Sequence, residues 1–124
     1  MDDLYREEMM DIYKNPAHRG KMKNPSVKKR GANPVCGDLV DLQLKIGNGK
    51  IVDAKFDGSA CAVSIVSSEI LTDAIVGLTI EKALKITKDE FLEMIGLNLT
   101  TSRVKCATLV LEALKDALGI YEEA

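Results

Sequence analysis

Val40-Asp41-Leu42-Gln43-Leu44-Lys45-Ile46-Gly47-Asn48-Gly49-Lys50-Ile51-Val52-Asp53-Ala54-Lys55-Phe56 decides the fold. Val40, Leu42, Leu44 and Ile46 alternate with charged or polar residues, and so do Val52, Ala54 and Phe56. A period of two places alternate side chains on opposite faces of a strand, so each half reads as a strand with one apolar face. Gly47-Asn48-Gly49 between them reads as a hairpin turn. A two-residue Asn48-Gly49 turn would set Leu44 opposite Asp53 and mix apolar with charged residues on one face. A three-residue turn pairs Ile46 with Lys50, Leu44 with Val52 and Leu42 with Ala54, and keeps one apolar face. The expectation is therefore a type I turn with Gly49 left-handed.

Outward from the hairpin, a further short strand running into Cys36 would complete a small antiparallel sheet. Before it, residues 14–31 hold Lys14, Arg19, Lys21, Lys23, Lys28, Lys29 and Arg30 with no acidic residue, interrupted by Pro16, Gly20, Pro25 and Gly31. This reads as a solvated basic loop, with docking of an acidic partner as its functional alternative. The lone His18 in this loop reads as a surface residue. Residues 2–13 read as an amphipathic helix stopped by Lys14-Asn15-Pro16.

After the hairpin, Gly58-Ser59-Ala60-Cys61 turns the chain into a helix to about Val76. Ala62, Val66, Ile70 and Ala74 form its apolar stripe, and Ser64, Ser67, Ser68 and Glu69 interrupt it. Thr79 caps a short helix. Thr87-Lys88-Asp89-Glu90 is a capping box that opens another, stopped by Gly96. Thr100, Thr101 and Ser102 are cap candidates for a last helix ending at Gly119. Strands and helices are segregated, which predicts an α+β architecture with helices packed on the sheet. The chain reads as one domain over residues 1–124: a helix and basic loop to 31, a sheet over 32–58 and helices over 59–119.

Composition narrows the function. A 46% hydrophobic content supports a folded core, aliphatic because Trp is absent and Phe and Tyr are few. A net charge of −2 makes no case for nucleic-acid binding. No apolar run approaches the roughly 20 residues that span a bilayer. The acidic start Met1-Asp2-Asp3 lacks the apolar core of a signal peptide. The expectation is a cytoplasmic protein with neither nucleic acid nor membrane as partner.

Three cysteines, Cys36, Cys61 and Cys106, exclude a fully paired disulfide framework. In a reducing compartment they are inert core residues, reactive thiols or metal ligands. All three fall at element ends: Cys36 before the first long strand, Cys61 at a helix start, Cys106 in the first turn of the last helix. Helix N-termini favour thiolate, the form that binds metal or accepts sulfur. Asp38 lies two residues after Cys36, and on an extended backbone the two side chains point to one side. Cys-Gly-Asp alone is a weak signal, since it lacks the paired spacing of zinc ribbons.

Asn33-Pro34-Val35-Cys36-Gly37-Asp38, Phe56-Asp57-Gly58-Ser59-Ala60-Cys61-Ala62-Val63-Ser64 and Arg103-Val104-Lys105-Cys106-Ala107 together resemble the iron–sulfur cluster scaffold family of IscU, SufU and the NifU N-terminal domain. The resemblance extends to Leu4-Tyr5 and Tyr13-Lys14-Asn15-Pro16, and so covers nearly the whole chain. It implies a SufE/NifU-like fold and a scaffold on which a [2Fe–2S] cluster is built and passed to acceptor apoproteins. It implies Cys36, Asp38, Cys61 and Cys106 as ligands, a cysteine desulfurase as sulfur donor and Cys106 as the persulfide acceptor. Thiolates suit iron–sulfur clusters and zinc, and a carboxylate is a harder, weaker fourth partner that eases release. The oligomeric expectation is a monomer or a homodimer bridged by the cluster.

The sequence departs from the family pattern at two places. IscU carries His immediately before its third cysteine, where this chain has Lys105, which makes Asp38 the better fourth ligand. Lys105, with Arg103 near it, is then a modulating cation that either pairs with Asp38 in the empty site or offsets the charge of three thiolates. The Leu-Pro-Pro-Val-Lys segment read by the IscU chaperone is replaced by Leu99-Thr100-Thr101-Ser102-Arg103-Val104-Lys105, without proline. The segment from Arg103 to Ala107 is closer to SufU, but the SufU insertion before the third cysteine is missing. Two alternatives to the scaffold follow: a zinc-bound, persulfide-accepting sulfurtransferase like SufU, and a structural metal domain, which would collapse without metal.

Overall fold

The computed structural model describes residues 3–34, 37–96, 99 and 101–123, with backbone alone for 3–6, 102 and 123. In chain order the elements are α1 Asp3–Lys14, β1 Val27–Asn33, β2 Asp38–Gly47, β3 Lys50–Asp57, α2 Ala62–Ile75, α3 Ile80–Leu84, α4 Lys88–Ile95 and α5 Thr101–Glu123. The strands form one antiparallel sheet in the order β1-β2-β3. Val40, Leu42, Leu44 and Ile46 of β2 turn inward onto α2 and α5. Phe91 and Ile95 of α4 close the same core, joined by Leu111, Leu114 and Leu118 of α5. Burying side chains of this size contributes about 1.5–3 kcal/mol each. The α+β expectation is therefore met.

The hairpin reaches its apolar face by a different route from the one expected. Gly47 pairs with Lys50, leaving the two-residue turn Asn48-Gly49, with φ of 53° and 74°. Two left-handed residues make a type I′ turn, whose twist matches the strands. The register then shifts between Lys45 and Ile46, so Ile46 faces Ile51 while Lys45 faces Asp53. Val52 is the extra residue and is 53% exposed. This bulge restores Leu44 opposite Ala54 and Leu42 opposite Phe56. Ile51, not Val52, joins the core. The expected three-residue turn is not formed; the chain keeps one apolar face by bulging β3.

Two boundaries and one buried face also differ from the expectation. The sheet begins at Val27, not at 32, so Lys28, Lys29 and Arg30 belong to a strand and not to a loop. Exposed Lys28 and Arg30 alternate with half-buried Val27, Lys29 and Gly31, as on a strand with one wet face. The last helix passes through Gly119 to Glu123, because Tyr121 packs against the core and holds the extra turn. The buried side of α2 is also not the predicted stripe: Ala62 and Ala74 are exposed, while Ser64, Ser67, Ser68, Glu69 and Thr72 are buried. The helix is covered on most sides, and small polar residues let the neighbouring chain approach closely. The capping reading holds: Thr79 caps α3, Thr87 and Glu90 form the box at α4, and Gly96 ends α4 left-handed.

Candidate metal centre

Between β1 and β2 the Gly37 amide donates to the Asn33 carbonyl at 2.8 Å. Gly37 has a φ of 75°. The expectation that residues 36 and 38 point to one side rests on the placement of Cys36. Cys36 itself lies outside the described residues. Asp38 opens β2 opposite Asn33 and is 4% exposed.

The end of β3 brings Cys61 to Asp38. Gly58 has a φ of 127°, and a Cβ there would lie 2.2 Å from the Leu39 carbonyl oxygen. Only glycine lets the backbone cross so near β2 in that conformation. The Leu39 amide then donates to the Ser59 carbonyl at 2.8 Å, tying the crossing in place. Cys61 follows as the N-cap of α2, with extended backbone and no capping bond from its side chain. Its amide donates instead to Asp38 Oδ1 at 3.0 Å.

Cys106 reaches the same place from α5. The helix starts at Thr101, so Cys106 lies in the second turn, not the first. It is 3% exposed and leads a buried run through Ala107 to Leu111. The ligand atoms of Asp38, Cys61 and Cys106 all lie within 4.8 Å of one another. Around a tetrahedral zinc, ligand atoms at the usual bond lengths sit roughly 3.3–3.8 Å apart, so a small contraction closes this set on one ion. Two soft sulfurs with one carboxylate fit zinc or iron in an iron–sulfur cluster. The convergence expected from the sequence is thus present for three of the four named residues. Arg103 and Lys105 are exposed on α5 beside it.

Sequence reasoning missed two residues. Ser64, read as a polar interruption of α2, is 1% exposed, and its Oγ lies 2.7 Å from Asp38 Oδ2. Glu69, read the same way, takes both the backbone amide and Nδ1 of His18 at 2.7 Å each. His18 is therefore no loose surface residue. Its carbonyl accepts from the Phe56 amide, and the Gly20 amide donates to the Phe56 carbonyl. The first part of the basic segment is thus stitched to β3. A helical period with serine or glutamate on the buried side was the available signal, but it cannot be told from a solvent stripe without knowing what packs there.

The later basic residues collect around a cleft of about 690 Å³ lined by Lys21, Lys28, Lys29, Arg30, Asp41 and Ile120, among others. Arg30 grips Asp41 across the strands with two bonds, of 2.7 and 3.0 Å. That grip holds the Asp41 carboxyl below the usual carboxylate range, helped by the charges of Lys28 and Lys21. The same contact raises the Arg30 guanidinium. Among the described residues, no helix is long and apolar enough to cross a membrane.

Residues 4–124 match the family described as NifU-like N terminal domain. The iron–sulfur cluster assembly scaffold protein IscU 1 of Archaeoglobus fulgidus is 36% identical over 118 residues, covering 95% of this chain and 76% of that protein. The zinc-dependent sulfurtransferase SufU of Bacillus subtilis is 36% identical over 139 residues, covering 98% of this chain and 94% of that one. The crystal structure of SufU from Fervidobacterium islandicum AW-1 superposes with a TM-score of 0.75 at 29% identity, over 90% of this chain and 94% of that chain. The N-terminal NifU-like protein of Brucella abortus shares the fold, with a TM-score of 0.81 over 98% of this chain and 96% of that chain at 20% identity.

Proposed function

The chain belongs to the family of NifU-like N-terminal domains, and from that premise we propose that it is a scaffold on which a [2Fe–2S] cluster is assembled and handed to acceptor apoproteins. The observation that carries this reading is the meeting of Asp38, Cys61 and Cys106 within 4.8 Å, from three elements far apart in the sequence. Cys36 joins them as the fourth ligand. The cluster is cargo. Its hold is set by three thiolates and one harder carboxylate, a combination suited to release. Scaffolding of this kind is carriage and not turnover, and its setting is the reducing cytoplasm.

Sulfur comes from a cysteine desulfurase. The Cys106 thiolate attacks the outer sulfur of the desulfurase persulfide. A new S–S bond forms on Cys106, the donor S–S bond breaks, and the donor cysteine leaves as thiolate. The transfer itself needs no outside oxidant or reductant, because the sulfane sulfur carries its oxidation state across; its conversion to cluster sulfide takes two electrons per sulfur from a separate electron donor. Cys106 is buried and Cys61 only partly so, so delivery to Cys106 requires the end of α5 to open from β2 and α2. Arg103 and Lys105, exposed nearby, are placed to offset the accumulating negative charge.

A second reading is favoured by the SufU relationship and by Lys105 standing where IscU has histidine: a zinc-bound sulfur acceptor that relays persulfide without building a cluster. Metal and acid-labile sulfide measured on protein purified without oxygen separate the two. Iron with equal sulfide, and visible absorption lost on replacing Cys36, Cys61 or Cys106, is the outcome expected of a scaffold. Zinc without sulfide, and no cluster after reconstitution with iron and sulfide, selects the relay.

A further inference from the structure

We infer that Ser64 is the positioning residue of this centre, holding the Asp38 carboxylate where the two thiols converge. The inference rests on the reading of Asp38, Cys61 and Cys106 as metal ligands. The Ser64 hydroxyl lies 2.7 Å from Asp38 Oδ2, 3.1 Å from the Cys106 carbonyl and 3.6 Å from Cys61 Sγ. It is therefore a node between β2, α2 and α5, the three elements that carry the described ligands. The hydroxyl has one proton and two oxygen acceptors in reach, and the charged carboxylate makes the shorter, stronger bond. The other carboxylate oxygen takes the Cys61 amide at 3.0 Å. With a donor on each oxygen, the carboxylate plane cannot turn about its last torsion without breaking a bond.

The rest of α2 shows that this is not merely a small residue filling space. Ser67 and Ser68 are equally buried in the same helix, and among the described residues their hydroxyls have no hydrogen-bond partner. A buried hydroxyl without a partner costs free energy, so those two serines gain nothing from their oxygen. Ser64 lies one turn from Ser67 and Ser68 and is the one whose oxygen reaches the ligand cluster. Groups that orient a ligand from behind typically change metal affinity 10–100-fold when removed.

The test is a double-mutant cycle on metal-free protein, with Zn2+ affinity read by competition against a chromophoric chelator and Co2+ used as a spectroscopic reporter of ligand geometry. Ser64→Ala is expected to weaken Zn2+ binding 10–100-fold and to alter the Co2+ visible bands. In an Asp38→Ala background the same substitution should change affinity less than threefold, since its effect runs through Asp38. Ser67→Ala and Ser68→Ala should leave affinity within threefold of the parent. Circular dichroism melts of every variant confirm that it is folded. Ser64→Ala binding Zn2+ like the parent, or losing as much in the Asp38→Ala background, overturns the role given to Ser64. Cys61→Ser and Cys106→Ser binding Zn2+ like the parent overturns the ligand assignment itself, which is a separate failure.

Discussion

Gly58 passes so close to Leu39 that any side chain at this position would meet the Leu39 carbonyl oxygen, 2.2 Å from an added Cβ. This crossing sets how Cys61 approaches Asp38. Gly58→Ala is expected to destabilise the fold by at least about 1–3 kcal/mol from backbone strain alone. It should also weaken metal binding, because relief of the clash moves the 58–61 loop off β2. A denaturant melt and a Zn2+ competition titration check the two effects; a variant with parental stability and affinity would show the crossing to be dispensable.

The bulge in β3 makes neighbouring residues unequal. Ile51→Ala should cost about 2–5 kcal/mol, as deletion of a buried core side chain does. Val52→Thr should change stability by less than about 0.5 kcal/mol, because the bulge turns Val52 outward. Equal losses at both positions in urea unfolding would contradict the register.

Burial separates the two described thiols. In the metal-free protein, Cys61 should be alkylated by iodoacetamide at least tenfold faster than Cys106, as read by peptide mass spectrometry over time. Zn2+ should slow both, since bound thiolates are no longer free to attack. Faster modification of Cys106 would mean that the end of α5 is already open at rest.

Glu69 holds the 18–20 segment through His18. Glu69→Ala leaves the half-buried His18 amide without its acceptor and should cost about 1 kcal/mol. Hydrogen exchange should accelerate at the Gly20 and Phe56 amides, which pair across that junction, while amides of Leu42 and Leu44 keep their protection. A uniform change across the sheet would assign the loss to global stability and not to this junction.

The core cluster is built from Ala, Val, Leu, Ile and Phe side chains, without Asp38, Cys61 or Cys106. Removing metal with a chelator should therefore leave a single cooperative thermal transition, shifted down by the lost binding free energy and not abolished. A non-cooperative melt in chelator would support a structural metal domain instead.

Much of this was legible in one dimension. Strand period around Leu42 and Phe56, the capping box at Thr87-Glu90 and the glycine stop at Gly96 are local signals. Each depends on residues within a few positions, so the α+β class and most helix starts could be read directly. The three cysteines and Asp38 could be singled out because their chemistry and family context do not depend on packing. The register of the hairpin could not be read, because a bulge and a longer turn both satisfy the same alternation. Which side of α2 is buried was undecidable as well: Ser64, Ser68 and Glu69 look like a solvent stripe until α5, β2 and the 16–20 segment are laid against them. The meeting of Asp38, Cys61 and Cys106 is likewise a property of the packed chain. Local sequence sets backbone periodicity and caps, whereas the face that loses water, and the side chains that meet there, are chosen by contacts between segments dozens of residues apart.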